Sequence, residues 1–331
     1  MLIKLFDKFN FRCKFCSVVN SIVFHCHHLC SLFCFCIQEN IRYIRPRTIN
    51  REHGISTRYR EKDFPKLIAA LTARGGPDLR LRFYYSCFGQ FTNWQPGEKC
   101  NRALHHVISR TIESDDELLW FHICGQRVCF TPSDFALITG LRFGESEFDT
   151  ALDYDLSDNQ AYLAFCDPAR GTSIVDLIKK VIDPDNRVVD ADGGLHLRAI
   201  LVCVAHTMIC GGDRQVEPWM WALVRDLDAF NRFPWGAYSY RVMTHYTRNC
   251  GSTQKYSLYG PAWALYVWAL EKVPGLAEAV GIPIASQQPQ YPRILRWAFN
   301  RHPRPALQPL FDNTQVSTLR CIIILRENIM Y

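Results

Sequence analysis

The sequence predicts a mainly α-helical fold of the α+β class: a helical domain with one small antiparallel β-hairpin, between irregular ends. Three observations predict it. Apolar residues recur every three to four positions in several segments, as they do on one face of a helix. Two neighbouring runs on either side of Cys124-Gly125 are short and strand-like. Of the 331 residues, 48% are apolar and 21% charged, which is a globular composition.

The first elements are predicted from their apolar spacing and from the residues that start and stop them. Asp63-Phe64-Pro65 opens a short amphipathic helix, which Gly75-Gly76 should end. A second helix with one apolar stripe is expected over residues 102–112. The hairpin follows, with strands at 118–123 and 128–130 joined by residues 124–127.

The run FTPSDFALITGL, residues 130–141, is interpreted as a strand-to-helix junction and not as a reactive site. Thr131 is a suitable N-cap, Pro132 a suitable first helical residue, and Asp134 completes a start that resembles a capping box. Gly140 should let the chain leave the helix in a left-handed conformation. The expected apolar contacts come from Phe135, Leu137, Ile138 and Leu141.

The central helices are predicted in the same way. One spans residues 172–182 and ends at Asp183-Pro184. The next, residues 195–210, is apolar almost all round and closes with Gly211-Gly212, so we place it at the centre of the core.

The last helices are expected in the second half of the body. Pro218 should open a helix with one continuous apolar face, formed by Leu223, Val224, Leu227 and Phe230. A turn at 231–236, a short helix at 240–246 and a helix at 261–272, broken by Pro274-Gly275, follow. Beyond Trp297 the chain is rich in Pro and Arg and is expected to be irregular.

Charge and cysteine are concentrated at the N-terminus. Residues 1–60 contain ten Lys and Arg against three Asp and Glu, whereas the remainder contains 28 basic and 29 acidic residues. The body is therefore neutral and exerts no long-range attraction on phosphate. Six of the fifteen cysteines also lie in the first 36 residues, at positions 13, 16, 26, 30, 34 and 36. The other nine are scattered, which suits free thiols in a reducing compartment.

The apolar segment at residues 17–37 has three interpretations. It is long enough for a membrane anchor, but it contains Asn20 and the cluster His25-Cys26-His27-His28, which are costly in lipid. A zinc site with Cys13 and Cys16 would need a loop that can turn, and the segment has no Gly or Pro. We favour the third interpretation, in which both this segment and residues 321–331 are translated non-coding sequence from an imperfect gene model. A membrane anchor stays as the alternative.

No catalytic, cofactor-binding or metal-binding residue is predicted. Glycine-rich phosphate loops and the G-x-S-x-G pattern are absent. His105 and His106 point to different helix faces and are expected to face solvent or to pack; His196 and His206 lie roughly 15 Å apart along a helix, too far to share one ion.

Carboxylates, thiols and aromatics also receive structural interpretations. Asp226 and Asp228 should form local ion pairs with Arg225 and Arg232. Cys210 and Cys250 each precede a glycine, but Cys210 falls at a helix end and is interpreted as a structural thiol. A cluster of large aromatic residues is expected in the core: Trp219, Trp221, Trp235, Trp263, Tyr266 and Trp268.

Four segments resemble, in the same order, a plant family described as a domain of unknown function. The first is ELLWFHICGQRVCFTPSDFALITGLRFG (117–144), in which a Trp-Phe strand, a glycine turn and an F-[ST]-x-x-[DE]-F-A-L-[IV]-T-G-L pattern follow one another. LVRDLDAFNRFPWG (223–236), YSLYGPAWALYVWALEKVPGL (256–276) and YPRILRW (291–297) come next. We therefore expect a non-family segment at 1–55, the family domain at 56–297 and an irregular tail at 298–331.

The resemblance implies a function in which this chain catalyses no reaction. Members of the family are often found upstream of a cysteine protease domain similar to the ubiquitin-like-protein (SUMO) proteases, in plant genes that look derived from transposable elements. It carries no catalytic residues onto this sequence, and the ordered His, Asp, Gln and Cys set of such a protease is not visible. We expect a non-catalytic interaction or scaffold domain of a transposon-associated plant protein, with its protease partner missing. It would have protein partners and no cofactor, inside the cell and in the nucleus.

Two other functions are weighed against this one. The first is nucleic-acid binding through the Arg-rich flanks at residues 42–60 and 293–304, which should be steeply salt-dependent. The second is a cysteine hydrolase whose active-site cysteine has no recognisable local motif.

Overall fold

The computed structural model describes residues 41–43, 54–58, 60, 62–94, 97, 100–169, 173–186, 188, 190, 193–212, 215–249, 255–284, 291–299 and 306–312. The chain divides between Arg42 and Tyr43, and the fold given below is that of the second unit, Tyr43–Tyr331. The segment at 17–37, the N-terminal cysteines and histidines, and residues 321–331 lie outside the described residues.

The described part of the chain is mainly α-helical, as predicted. Its helices are α1 (Phe64–Tyr84), α2 (Asn101–Ile108), α3 (Pro132–Thr139), α4 (Gln160–Phe165), α5 (Ile174–Ile182), α6 (Gly194–Val204), α7 (Pro218–Val224), α8 (Leu227–Arg232), α9 (Trp235–Arg248), α10 (Ala262–Lys272), α11 (Leu276–Val280) and α12 (Gln308–Asp312). A π-helical turn, Ala205–Cys210, continues α6. Short 3-10 turns occur at Gly89–Phe91 and Arg293–Arg296.

Three small sheets accompany the helices. β2 (Thr111–Ile112), β3 (Leu119–Ile123) and β4 (Gln126–Phe130) form an antiparallel sheet in that order. β1 (Gly54–Thr57) pairs in parallel with β5 (Lys255–Leu258), and β6 (Gly281–Pro283) pairs antiparallel with β7 (Trp297–Phe299). The predicted β3–β4 hairpin is confirmed, and its turn residues Cys124 and Gly125 both have positive φ, 52° and 76°, as the tightest hairpin turns require.

Two helices form the centre of the core because they are apolar on every side. Every residue from Ala199 to Cys210 is buried, which confirms the prediction for this segment, and α6 packs against α1, α4, α5 and α7. Every residue of α10 from Ala262 to Leu270 is buried as well, against α2 and α3. Gly211 ends the α6 segment in the left-handed conformation, as predicted.

The six aromatic side chains predicted for the core are all buried. They link separate elements by ring contacts. The Trp219 and Trp235 rings are stacked with centroids 5.8 Å apart, and Trp268 lies 5.2 Å from the Phe121 ring of β3. The α10 helix is thereby packed directly onto the three-stranded sheet.

The first two predicted helix ends are wrong. Helix α1 does not stop at Gly75-Gly76 but continues to Tyr84. The two glycines cost about 1 kcal/mol each in a helix and Pro77, which follows them, about 3 kcal/mol, and the burial of Leu79 and Phe83 beyond them offsets that cost. The second helix, in contrast, ends at Ile108 instead of 112, because Thr111 and Ile112 leave it to pair with β3.

The region after Pro218 also differs from the prediction. The single helix expected there is two helices, because Asp226 accepts hydrogen bonds from the amides of Asp228 and Ala229 (2.8 and 3.0 Å) and caps a new helix, α8. The expected turn at 231–236 shrinks, since α8 ends at Arg232 and α9 begins at Trp235. Helix α9 then extends to Arg248, beyond the predicted 240–246.

The tail beyond Trp297 is more ordered than predicted. β7 extends to Phe299, and α12 packs against α2, with Phe311 buried. The sequence gives little sign of α12, because a helix of five residues has no apolar period to detect.

The strand-to-helix junction at residues 130–141 is confirmed with one exception. Thr131 Oγ1 accepts a hydrogen bond from the Asp134 amide (3.0 Å), and Asp134 Oδ2 accepts one from the Thr131 amide (3.1 Å). Gly140 has φ 68°, as a left-handed cap requires. Leu137, however, is 41% exposed and is not a core contact.

Candidate functional site

The paired histidines pack and do not face solvent. His105 and His106 are both buried at the end of α2. The hydroxyl of Tyr256 lies 3.1 Å from His105 Nδ1, while the His106 ring stacks on Phe311 with centroids 5.4 Å apart. Burial, together with the neighbouring cation of Arg110, lowers the pKa of His106 to about 4. His106 is therefore neutral at physiological pH.

His196 serves to fix the start of α6. Its Nδ1 and its backbone amide both contact Asp190 Oδ2, at 2.8 and 2.7 Å, and the amide of Leu195 donates to Asp190 Oδ1 at 3.1 Å. Burial alone would raise the pKa of Asp190, but these hydrogen bonds outweigh it and leave the pKa lowered. The pair is a buried helix cap in which the carboxylate satisfies two otherwise unpaired amides.

The described cysteines are free thiols. Burial, and secondarily the charge of Glu217, raises the pKa of Cys210, which fits its prediction as a structural thiol. Burial also raises the pKa of Cys203, and raises that of Cys129 to about 11. A reactive cysteine has the opposite property, a lowered pKa. Cys250 lies outside the described residues.

Two features are absent from the described part of the chain. No group of three or more His, Cys, Asp or Glu side chains there is arranged to hold a metal ion. No helix there is both long enough and apolar enough to cross a bilayer.

The predicted ion pairs of the α8 region are replaced by a cap and a longer-range contact. Asp226 caps α8, as described above, and Arg225 reaches Asp158 at 2.8 Å, 67 positions away. Both charges of that pair are largely exposed, so it contributes little stability.

A surface groove beside α9 is the feature that sequence reasoning missed. It has a volume of about 700 Å³ and is open to solvent. We call it the α9 groove; it is lined by Ile112, Glu113, Ser114, Glu117, Leu118, Pro132, Phe143, Ala237, Tyr240, Arg241, Thr244, His245, Arg248 and Asn249. These residues come from the end of β2 and the β2–β3 loop, the start of α3, the segment after α3, and α9 with its C-cap. No local motif marks the groove, because the fold assembles it from positions far apart in sequence.

Arg248 connects the two walls of the α9 groove. Its Nη2 donates hydrogen bonds to Ser114 Oγ (2.7 Å), to the Leu118 carbonyl oxygen (3.0 Å) and to the carbonyl oxygen of Asp116. The Asp116 carboxylate in turn accepts from Trp120 Nε1 at 2.9 Å. That hydrogen bond is the main reason why the pKa of Asp116 is lowered. The β2–β3 loop is thus held to the last turn of α9.

The lining of the α9 groove is mostly apolar and includes Leu118 and Phe143. It also carries exposed charged and polar side chains, Glu113 and Glu117 on the β2–β3 loop and Arg241 and His245 on α9. Such a surface can bind apolar side chains and charges of either sign.

The comparisons with known proteins find one matching family model over part of the chain. Residues 108–246 match the model of a family described as a domain of unknown function (DUF1985). The predicted resemblance to such a domain is confirmed over this range. No curated protein and no solved structure matches the chain.

The matched range contains nearly the whole α9 groove. Its lining runs from Ile112 to Asn249, and only Arg248 and Asn249 lie beyond the match. The groove is therefore built almost entirely by the part of the chain that carries the family pattern.

Proposed function

We propose that this chain is a non-catalytic interaction domain, and that the α9 groove binds an extended segment of a protein partner. The observation that carries the proposal is the groove itself: an open groove of about 700 Å³ with a mostly apolar lining that also includes acidic side chains from the β2–β3 loop and basic side chains from α9. Apolar clefts with a few charged edge groups are the usual form of a ligand-binding surface. An open groove between a loop and a helix suits a polypeptide segment.

The state of the cysteines supports a binding role over hydrolysis. Cys203 and Cys210 are buried within the core, and Cys129 has its pKa raised to about 11. None of these three cysteines lines the α9 groove. A cysteine nucleophile would have to be accessible and ionised.

The biological setting follows from the family resemblance. Under this proposal the chain belongs to a transposon-associated plant protein, acts in the nucleus, and recruits targets for a SUMO-protease-like domain that is separate from it. The groove would then supply target binding, while the chemistry would come from the protease.

Selection of peptides from a random library displayed on phage tests the groove as the binding site. Peptides selected on the chain should lose affinity by about tenfold, or 1.4 kcal/mol, when Arg241→Glu reverses one charge of the groove lining. Arg232→Glu is the matched control, since Arg232 is exposed and does not line the groove. Selected peptides that bind the wild-type chain, Arg241→Glu and Arg232→Glu with equal affinity would contradict the proposal.

Affinity capture from plant nuclei extends the test to natural partners. Proteins retained by the wild-type chain and by Arg232→Glu should be lost with Arg241→Glu. Partners that are retained by all three proteins would bind elsewhere on the chain.

Nucleic-acid binding through the flanks is the second candidate. In its favour, the Arg58 guanidinium lies 5.5 Å from the centroid of the Tyr259 ring, and that ring contacts the exposed Tyr246 with centroids 4.2 Å apart and planes inclined at 30°. Arginine beside an exposed aromatic ring is one of the arrangements that bind bases. Against it, Arg60 is paired with Asp63 (2.5 Å), and Arg293 with Glu271 (2.9 Å).

A gel-shift titration in increasing salt separates the two candidates. Nucleic-acid binding by this cluster should weaken steeply with salt and should be lost with Tyr246→Ala. A shift that survives Tyr246→Ala unchanged would rule out the cluster as the binding site.

A further inference from the structure

Helix α12 packs on residues that do not line the α9 groove. The segment 307–312 contacts residues that precede it by almost 200 positions or more. The Cys124 amide donates a hydrogen bond to the Phe311 carbonyl oxygen (2.8 Å), and Cys124 Sγ donates one to that of Leu310 (3.3 Å). Leu307 and Phe311, four positions apart, face inward, while Gln308 and Pro309 face solvent.

Phe311 occupies an aromatic and cationic cup. Its ring stacks on His106 with an interplanar angle of 19°, and the Arg110 guanidinium carbon lies 4.8 Å from the ring centroid. Only 1% of Phe311 is exposed. The cup therefore selects an aromatic side chain by stacking and by cation–π attraction.

Arg110 favours a carboxylate at the next position. Its side chain is 1% exposed, and its Nη2 donates to Asp312 Oδ1 at 2.7 Å, while Nη1 donates to the His106 carbonyl oxygen at 2.8 Å. A hydrogen bond from a guanidinium to a carboxylate is charge-assisted and is stronger than one between neutral groups. These contacts therefore favour an aromatic residue followed directly by an acidic one.

The length of α12 indicates that the surface imposes its helical form. Isolated helices shorter than about 12–15 residues are marginal in water, and α12 has five residues. A short segment that becomes helical where it docks behaves as linear recognition motifs do.

We infer that the surface formed by His106, Arg110 and Cys124 is a peptide-binding site, occupied in this structure by the chain's own residues 307–312. Its ligand is one helical turn of the pattern Leu-x-x-Leu-Phe-Asp, and a partner protein that carries the same pattern would displace α12. Because this site and the α9 groove use different residues, either one can fail its test without the other.

Binding of a labelled peptide to the full chain tests the inference. The peptide covers residues 306–312 with neutral ends, and its fluorescence anisotropy is titrated with wild type and with a Phe311→Ala, Asp312→Asn double variant. The variant vacates the site, so it should bind the peptide at least about tenfold more tightly than wild type, whose site is filled. Equal affinity for both proteins, with the variant still unfolding cooperatively, would overturn the inference.

Two controls address specificity. A peptide with Asn in place of Asp312 should bind the double variant at least about tenfold more weakly, and adding Arg110→Met to the variant should remove the difference between the two peptides. If the carboxylate makes no difference, Arg110 is not the specificity residue and the assigned ligand pattern is wrong.

Hydrogen exchange on the wild-type chain gives a readout that needs no variant to fold. If α12 can leave its site, the Cys124 amide should exchange through a local opening, well before the amides in the β3–β4 ladder. At denaturant concentrations that release α12 from its site, an excess of unlabelled peptide should occupy the site in its place. The Cys124 amide should then stay protected from exchange. Exchange of the Cys124 amide only upon global unfolding would overturn the inference.

Discussion

Thr131 and Asp134 show how a single residue pair stabilises a helix end. Each side chain accepts a hydrogen bond from the other residue's amide, and these amides would otherwise lack an intrahelical partner. We expect Thr131→Ala to lower the free energy of unfolding by about 1 kcal/mol, measured by urea denaturation. Thr131→Ser, which keeps the hydroxyl, should cost much less. Unchanged stability in Thr131→Ala would mean that the hydroxyl does not act as a cap.

His106 is expected to make stability depend on pH. Its pKa is about 4 in the folded chain, against an ordinary value near 6.5, because of burial first and then the charges of Arg110, His105 and Arg102; Asp312 opposes the shift. Between these two values the unfolded chain binds more protons than the folded one, so stability is complete above pH 6.5 and falls as the pH drops towards 4. The expected loss is on the order of 3 kcal/mol.

A variant without the imidazole separates the contribution of His106 to the pH dependence of the free energy of unfolding from the contribution of the carboxylates. His106→Phe keeps a ring beside Phe311 and removes the titrating group. Its free energy of unfolding, followed from pH 7 to pH 4, should fall less steeply than that of wild type. Parallel pH profiles for the two proteins would show that His106 is not responsible.

At the scale of elements, the features that depend on residues close together in sequence were predictable, and those that depend on long-range contacts were not. The capping box, the left-handed Gly140 and the β3–β4 turn depend on residues within a few positions, and the sequence predicts all three. The helix end predicted at Gly75-Gly76 is wrong because the burial of Leu79 and Phe83, and not the glycines, decides where α1 ends.

The candidate sites were missed for the same reason. The α9 groove joins residues 112–118 to residues 237–249, and the α12 site joins Arg110 to Asp312, 202 positions away. Neither contact follows from periodicity or from a local motif. The aromatic core was predictable because large aromatic residues with few charges between them have a strong tendency to be buried.

The β2–β3 loop is an element whose position depends on one side chain. Arg248 holds it through Ser114 and the carbonyl oxygens of Asp116 and Leu118. We expect Arg248→Met to speed amide exchange of residues 113–118 and to cost about 1–2 kcal/mol, with the amides of the β3–β4 ladder unaffected. Arg241→Met, on the same helix with an exposed side chain, is the control. Equal exchange in both variants would show that the loop holds its position without Arg248.

At the scale of the whole molecule, the family-matched range and the rest of the chain share one core. Residues 108–246 contain the three-stranded sheet and α3 to most of α9. The helices that cover them lie outside: α1 packs on α6, and α10 packs on α3 and places Trp268 against Phe121 and Phe130. Without those helices, the apolar faces of α6 and the sheet would be exposed to water.

A fragment of residues 108–246 is therefore expected not to fold on its own, whereas one of residues 43–312 should. Removing α1 and α10 exposes fully buried side chains such as Phe121 and Phe130, each of which contributes about 1.5–3 kcal/mol when buried, against a total stability of about 5–15 kcal/mol. The shorter fragment should keep helical far-ultraviolet circular dichroism, lose its near-ultraviolet signal and bind a hydrophobic dye. The longer fragment should unfold cooperatively on heating. Cooperative unfolding of the shorter fragment would mean that the family pattern specifies a self-sufficient domain, and that α1 and α10 are additions to it instead of parts of its core.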